Sequence, residues 1–477
     1  MTRSLAELAL NTKADDIPDR ACDAGKKMIL DTIGVTIAGY NSGGVREVVD
    51  QMRDWGGKPE ATLLIYGGKF PSPNAAFANS AMAHALDFDQ VHKPSSLHIM
   101  VSVLPVALAA GEMARASGKD VLAALILGVE AAARLGVAFA KQKPKAAYNT
   151  GGFLPSSVVG GFGITAAACR LLGMNLEQTV NAMGISYAQA SGNRQALFDK
   201  TLTKRLQPAF AARSALWAAM LARRGVTGPP NAIEGRAGLF SVYRNADPCP
   251  IEALTGPRDF YEIERDSVKH YPVCGGTMID AAVRLGQQRK FVANEIEQLE
   301  IYLGGSSQGL TTGPFVIGPN PQANAQFNSA YHAALGVLRG HARAADFTDA
   351  QVLADKEVTE LAKRVVLRTE MPEASPPATP KAGDAPAPHK WSADASKVEG
   401  VKVTLKTGEV FTNFRNTREA LGPDTMTLDD VIRKFHELAD FSGICPKEKA
   451  DAIRQGVLGL DAKKHFSDFV KECVLLS

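Results

Sequence analysis

No two of the six cysteines lie at CxxC spacing. Cys22, Cys169, Cys249, Cys274, Cys445 and Cys473 are scattered along 477 residues. That excludes a zinc knuckle or a dithiol redox motif and suits a reducing, cytoplasmic setting. An excess of one charge is missing too. Lys and Arg number 53 against 50 Asp and Glu, a net charge of +3, so the chain carries no footprint for a polyanion and nucleic acid is not expected as its main partner. The opening residues, MTRSLAELALNTKADD, hold no apolar core of a signal peptide. The longest apolar runs are 99–110 and 121–129. Pro105 interrupts the first, and Glu130 and Arg134 follow the second. Neither reaches the roughly 20 residues of a membrane span, so both are read as buried helices and no membrane contact is expected. No internal repeat is visible.

Several motifs are also absent. GGFLPSSVVGGFG is rich in glycine but is neither GxGxxG nor GxxxxGK[ST], which speaks against a nucleotide loop. His92 and His98 are six apart with Pro94 between them, unlike the HExxH of a metalloprotease. No GxSxG elbow and no Cys-His-Asn set points to acyl transfer.

What is present is helix. The length suits two or three domains, and apolar residues at 45% with charged ones at 22% describe an ordinary globular chain. Residues 18–38 carry apolar side chains at Ala21, Ala24, Met28, Ile29 and Ile33, with Gly39 just beyond, a helical spacing with its stop signal. Ser72-Pro73 is a helix start. Further helices are expected over 101–116, 121–138, 163–172, 176–190 and 209–224, rich in Ala and Gly and therefore able to approach closely. The pattern changes near residue 267. IEQLEIYLGG and AKRVVLRTEM read as strands, and VEGVKVTLKTGEVFTNF as a hairpin turning at Thr407-Gly408. Helices over 276–287 and 323–339 lie between them. Residues 370–396 hold too much Pro, Ala and Ser to pack and read as a mobile surface loop. Helices return at 428–438, 447–455 and 463–474. The expected fold is mainly α. A large all-helical domain is built from both termini (1–266 and 416–477), and a smaller α+β lid (267–415) is inserted toward the C-terminal half.

Four stretches set polar residues among apolar ones. AMAHALDFDQVHKPSSLH packs His84, Asp87, Asp89, His92 and His98 into eighteen residues. From the residues alone it is open as a metal site, an acid/base site or a helix end with capping residues. ASGNRQALFDKTLTKRLQP carries Arg194, Asp199, Lys200, Lys204 and Arg205, of which Lys200, Lys204 and Arg205 ordinarily mark a solvated face. SVKHYPVCGGT carries Lys269, His270, Tyr271 and Cys274. NAQFNSAYHAALG places Tyr331 and His332 on an otherwise apolar helix. Tyr331 there would ordinarily be a core tyrosine with one hydrogen bond, and Cys274 a small buried hydrophobe.

At these residues the sequence resembles the MmgE/PrpD family, whose members include dehydratases, decarboxylases and epimerases of small carboxylates. LDTIGVTIAGY, AHALDFDQVH, GFLPSSVVGGFG, TKRLQPAFAARSALWAAMLARRGVTGP, KHYPVCGGT and AQFNSAYHAALG carry the resemblance in order and over nearly the whole chain. It implies a helical domain with an α+β lid, and a homodimer that needs no metal. It points to Asp87 in DFD, His98 at the family's HPS histidine, Lys204 in TKRL, Lys269 in KHYP and Tyr331 in AYH as the catalytic set. Arg194 and His92 join them as substrate-binding candidates, together with three positions where this chain departs from the family. Leu154 stands where well-known members read FHP, Gln207 where a histidine often follows TKxL, and Cys274 where one member has another active-site histidine. HPS itself has become HIM.

The set makes chemical sense for a small polycarboxylate. Lysines and Arg194 would hold its carboxylates, and His98 is the residue type suited to move a proton beside one. Tyr331 could hydrogen-bond an enolate-like oxygen, and Asp87 could orient a histidine or lysine. The expected activity is a cofactor-independent lyase, a dehydratase or decarboxylase. The alternatives are an epimerase or isomerase of a small dicarboxylate, and a catalytically altered member that only binds a carboxylate.

Overall fold

The computed structural model describes residues 1–141, 152–244, 251–304, 311–368, 398–416 and 426–476. The expected mobile loop 370–396 lies outside the described residues. The fold is mainly α. The chain divides into two compact units, one of Met1–Gln195, Thr203–Val268 and Met426–Ser477, the other of Ala196–Leu202 and Lys269–Thr425.

In the first unit the two ends of the chain meet. Helix Asp19–Gly39 is buried along most of its length and packs on the late helix Leu428–Ser442, where a Cβ on Gly34 would already lie 3.2 Å from the Phe435 ring. An ion pair of 2.7 Å between Lys434 and Asp31 is buried in the same contact. Leu428–Ser442 starts sharply because Thr427 and Asp430 cap each other's backbone, a reciprocal capping box.

Small residues set the closest approach. Helices Gly118–Lys141 and Gly160–Leu171 cross at Gly128 and Gly163. A Cβ on Gly163 would fall 2.2 Å from the Gly128 carbonyl, so only glycine permits this backbone-to-backbone contact. Gly118–Lys141 takes in the apolar run 121–129 and extends well beyond it. At 24 residues it is long and apolar enough to cross a membrane, yet 94% of its most apolar window is buried inside the protein. Glu130 and Arg134 extend the helix rather than ending it, because they pair with each other while both buried.

Pro105 lies inside helix Met100–Ala114 and Pro208 inside Thr203–Arg223. The second bears on the placement of a lysine. Proline cannot donate to the carbonyl four residues back, which here belongs to Lys204. The expected helix start at 209 moves to Thr203, and Lys204 stands in its first turn.

The second unit holds a four-stranded sheet in the order Val366–Arg368, Ile296–Tyr302, Val398–Leu405, Val410–Asn416. The first pair is parallel and the others antiparallel. Gly408 has a φ of +86° in the hairpin turn. Thr277–Gln288 and Ser329–Arg339 are the principal helices. The helix expected over 323–339 is broken in two, Pro321–Gln326 and Ser329–Arg339. Asn328 breaks it by accepting hydrogen bonds from the Ala330 and Tyr331 amides, the work of an N-cap.

Candidate active site

Helix Ser72–His84 is buried on nearly every side and delivers His84 at its last position. The chain then turns. The Asp87 amide bonds back to the His84 carbonyl at 3.2 Å, and Asp87 adopts a left-handed φ of +50°. Aspartate tolerates that conformation better than most residues, at some cost in strain. After Asp89 the chain enters the short strand Val91–His92, paired antiparallel with Asp266–Ser267. A tight loop closed by His92 and Leu97 backbone bonds then leads to His98, whose amide is held by the Ser156 hydroxyl at 2.9 Å.

The side chains converge on Asp89. One of its oxygens lies 2.9 Å from His84 Nδ1 and the other 2.7 Å from His98 Nδ1. Lys204 Nζ lies 2.8 Å from His84 Nε2 and forms an ion pair with Asp87. A continuous chain results: Asp87, Lys204, His84, Asp89, His98. Asp89 is wholly buried, and His84, Asp87 and Lys204 are nearly so. Only His98 retains exposed side-chain surface of note, at 22%. The ordinary expectation that Lys204 and Arg205 form a solvated face is overturned. Both are buried, and Arg205 donates to the Gly43 carbonyl at 2.6 Å.

The electrostatics follow from burial. Loss of water pushes the His84 imidazolium down to about 4, and the Lys204 ammonium adds to this against the pull of Asp89; the ring is neutral at physiological pH. Burial alone would raise Asp89. The two histidines outweigh it and hold the carboxyl well below the usual range.

One ligand atom from each of His84, Asp89 and His98 lies within 4.8 Å of the others, so these three could in principle hold a metal ion. The donor set argues otherwise. Both Nδ1 atoms are engaged with the carboxylate at hydrogen-bond distance, and an ammonium already sits 2.8 Å from the remaining nitrogen of His84. A cation would have to break the first bonds and tolerate the second.

The other sequence-derived candidates fall into three places. Leu154, Arg194 and Gln207 surround one segment. The Leu154 amide bonds to the Gly192 carbonyl and the Arg194 amide to the Gly152 carbonyl, each at 3.1 Å. The Gln207 side chain clamps the Asn193 backbone at both ends, donating at 2.7 Å and accepting at 2.9 Å. This segment adjoins the cluster through the chain. Ser156 is two residues from Leu154 and bonds His98, and Gln207 is one helical turn from Lys204.

His92 goes elsewhere. It is buried between Ser95 at 2.6 Å and Glu262 at 3.0 Å, and Glu262 also pairs with Arg258. Lys269, Cys274 and Tyr331 belong to the second unit. Lys269 Nζ donates to the Val273 carbonyl at 3.2 Å. Cys274 is half-buried beside Leu197, Ala323 and Phe327. Tyr331 is wholly buried between Phe315 and Phe347 and donates to the Asp346 carbonyl at 3.0 Å.

His84 and Asp89 belong to the polar stretch, but neither is among the site residues that the sequence singles out. The available signal was spacing, since a histidine lies on each side of Asp89 and both came from one polar stretch.

Behind this loop Gln90 donates to Asp266 at 2.8 Å. Burial raises the Asp266 carboxyl from 3.8 to about 6. Its folded value lies above its unfolded one, so its contribution to stability is complete below pH 3.8 and is lost as pH rises through 6. The rise corresponds to at most about 3 kcal/mol. Asp266→Asn is therefore expected to raise the melting temperature at pH 7.5 but not at pH 4. An equal effect at both would mean that the carboxyl's ionisation is not the cause.

The model of the MmgE/PrpD N-terminal domain matches residues 3–251, and that of the MmgE/PrpD C-terminal domain matches residues 271–461. A cis-aconitate decarboxylase of Mus musculus is 27% identical over 450 residues, covering 91% of this chain and 86% of the relative. One of Homo sapiens is 26% identical over 447 residues, with 91% and 87% covered. One of Aspergillus terreus is 28% identical over 290 residues, with 58% and 57% covered. Since the two domain models between them span most of the sequence, the chain belongs to the MmgE/PrpD family.

Proposed function

We propose that the protein removes CO2 or water from a small di- or tricarboxylate, with His98 moving the proton and no cofactor taking part. The enzyme class is lyase, of the MmgE/PrpD type. The observation that carries the finer reading is the exposed edge of His98 at the end of an otherwise buried polar chain. A proton beside a carboxylate must be delivered or removed by a group that can reach substrate. His84 and Asp89 are too buried to reach it.

Lys204 contributes charge in a more constrained way than a lone lysine would. Its ammonium is already matched by Asp87, so a substrate carboxylate shares it. Leu154, Gln207 and Cys274 replace family histidines and are the natural origin of a substrate preference of this chain's own.

The test is a panel of di- and tricarboxylates, beginning with cis-aconitate because the named relatives are cis-aconitate decarboxylases. The expected result is loss of CO2 or water from one member, read by mass spectrometry and unchanged after dialysis against a chelator. Exchange of a proton with D2O without loss of mass would establish the epimerase instead. A shift in melting temperature with no turnover would leave only a carboxylate binder.

A further inference from the structure

We infer that Asp89 and His84 are positioning residues: with Lys204 they lock the tautomer of His98, so that its Nε2 is the bare, outward-facing base. The inference rests on the reading of His98 as the proton carrier and names the groups that make it one.

The hydrogen bonds place each proton in turn. A lysine ammonium has donors and no acceptor. Its contact with His84 Nε2 at 2.8 Å therefore requires a lone pair on that nitrogen. The proton of the neutral ring is then on Nδ1, pointing to Asp89 at 2.9 Å. An ionised carboxylate only accepts. The second contact of Asp89, 2.7 Å to His98 Nδ1, thus requires a proton on that nitrogen too. When His98 is neutral its remaining nitrogen, Nε2, has no proton. Which nitrogen carries the proton is set by the bond that the other makes.

The same chain explains why the proton goes to His98 and not to His84. With both rings neutral the cluster holds Asp87 and Asp89 against Lys204, a balance of one negative charge. A proton arriving on His98 cancels it. His84 is a poor recipient, because its ring is buried and its only lone pair already faces an ammonium. One fully buried carboxylate thus serves two rings in different roles: a fixed, neutral His84 and a mobile, chargeable His98.

Asparagine at position 89 separates these roles. A carboxylate accepts from both rings, but an amide offers one accepting oxygen and one donating nitrogen. Only one ring can keep its proton on Nδ1. Lys204 still pins His84, so His98 is the ring expected to turn over to the Nε2–H form and lose its base.

The experiment is two-bond 1H–15N correlation on the full chain labelled with 15N-histidine, at alkaline pH and without substrate. Signals are assigned with His84→Asn and His98→Gln. Both rings are expected as Nδ1–H in the parent, whereas the free histidine side chain favours Nε2–H. In Asp89→Asn the His98 signal should change to Nε2–H, and kcat on the substrate found in the panel should fall about 10²-fold or more with KM nearly constant. A parent spectrum with His98 as Nε2–H overturns the inference even if Asp89→Asn fails to fold. An Asp89→Asn variant with the parental tautomer and kcat overturns it too. Because the spectrum needs no turnover, absence of activity across the panel would count against the lyase reading alone.

Discussion

Replacing His98 by glutamine should lower kcat by about 10²–10⁴-fold, the usual contribution of a general acid or base, while KM moves little. Glutamine is the informative choice. Its amide can still donate to Asp89, so the buried carboxylate keeps a partner where His98 Nδ1 now lies at 2.7 Å. The backbone anchor from Ser156 to the residue 98 amide does not depend on the side chain. The melting temperature should therefore stay close to that of the parent, and a loss of kcat would not be a loss of fold. A transition-state role lowers kcat and kcat/KM together, whereas a role in holding substrate raises KM. Full activity in His98→Gln on the true substrate would remove His98 as proton carrier. No other ring of the cluster could replace it, because His84 is buried and bonded at both nitrogens.

Much of the fold was legible because it is written in short-range chemistry. The start at Ser72-Pro73 and the stop signal at Gly39 are local. The small residues at Gly128 and Gly163 foretold close helices, though not which helices would meet. The break at Asn328 was missed because an apolar period runs straight across it, and a capping asparagine counts there as one polar residue in a helix. The helix start expected at 209 came too late, beyond Pro208. A proline near a helix start suggests a boundary, yet here it lies inside the helix and Lys204 in the first turn.

The site was legible as a set of stretches and not as a set of contacts. Polarity and family resemblance singled out Asp87, His98 and Lys204, which do lie in one connected cluster. They kept His98 for catalysis but did not set His92 aside, which stood among the substrate-binding candidates. The two differ in partner: His92 faces the buried Glu262, and His98 faces Asp89 with one edge exposed. Nor could they supply His84 and Asp89. In an extended strand, residues two apart share a face, but here the left-handed turn at Asp87 gives the two aspartates different partners. Asp87 takes the ammonium and Asp89 takes the rings. That division is decided by one backbone angle, which no side-chain pattern encodes.

Lys204→Met should be the most damaging single change in the cluster, for stability before activity. It strands the buried Asp87 carboxylate, and removing one partner of a buried pair costs about 3–5 kcal/mol. It also leaves His84 Nε2 without its donor, so the ring is free to exchange tautomers. Asp87→Asn should cost less, because a neutral amide is left where a charge would otherwise be stranded. The double variant is the decisive one. With both charges gone the desolvation penalty is relieved, and the midpoint of urea unfolding should recover most of the loss seen in Lys204→Met, a coupling that the two single changes cannot produce independently. Activity should not recover with it. If Lys204 shares its ammonium with a substrate carboxylate, the double variant keeps a strongly raised KM, since a desolvated anion has lost a counter-ion worth about 2–5 kcal/mol. A double variant with both parental stability and parental KM would reduce Lys204 to a buried strut for Asp87. The carboxylate-binding role would then have to pass to another cation, with Arg194, beside Leu154 and Gln207, the first to replace.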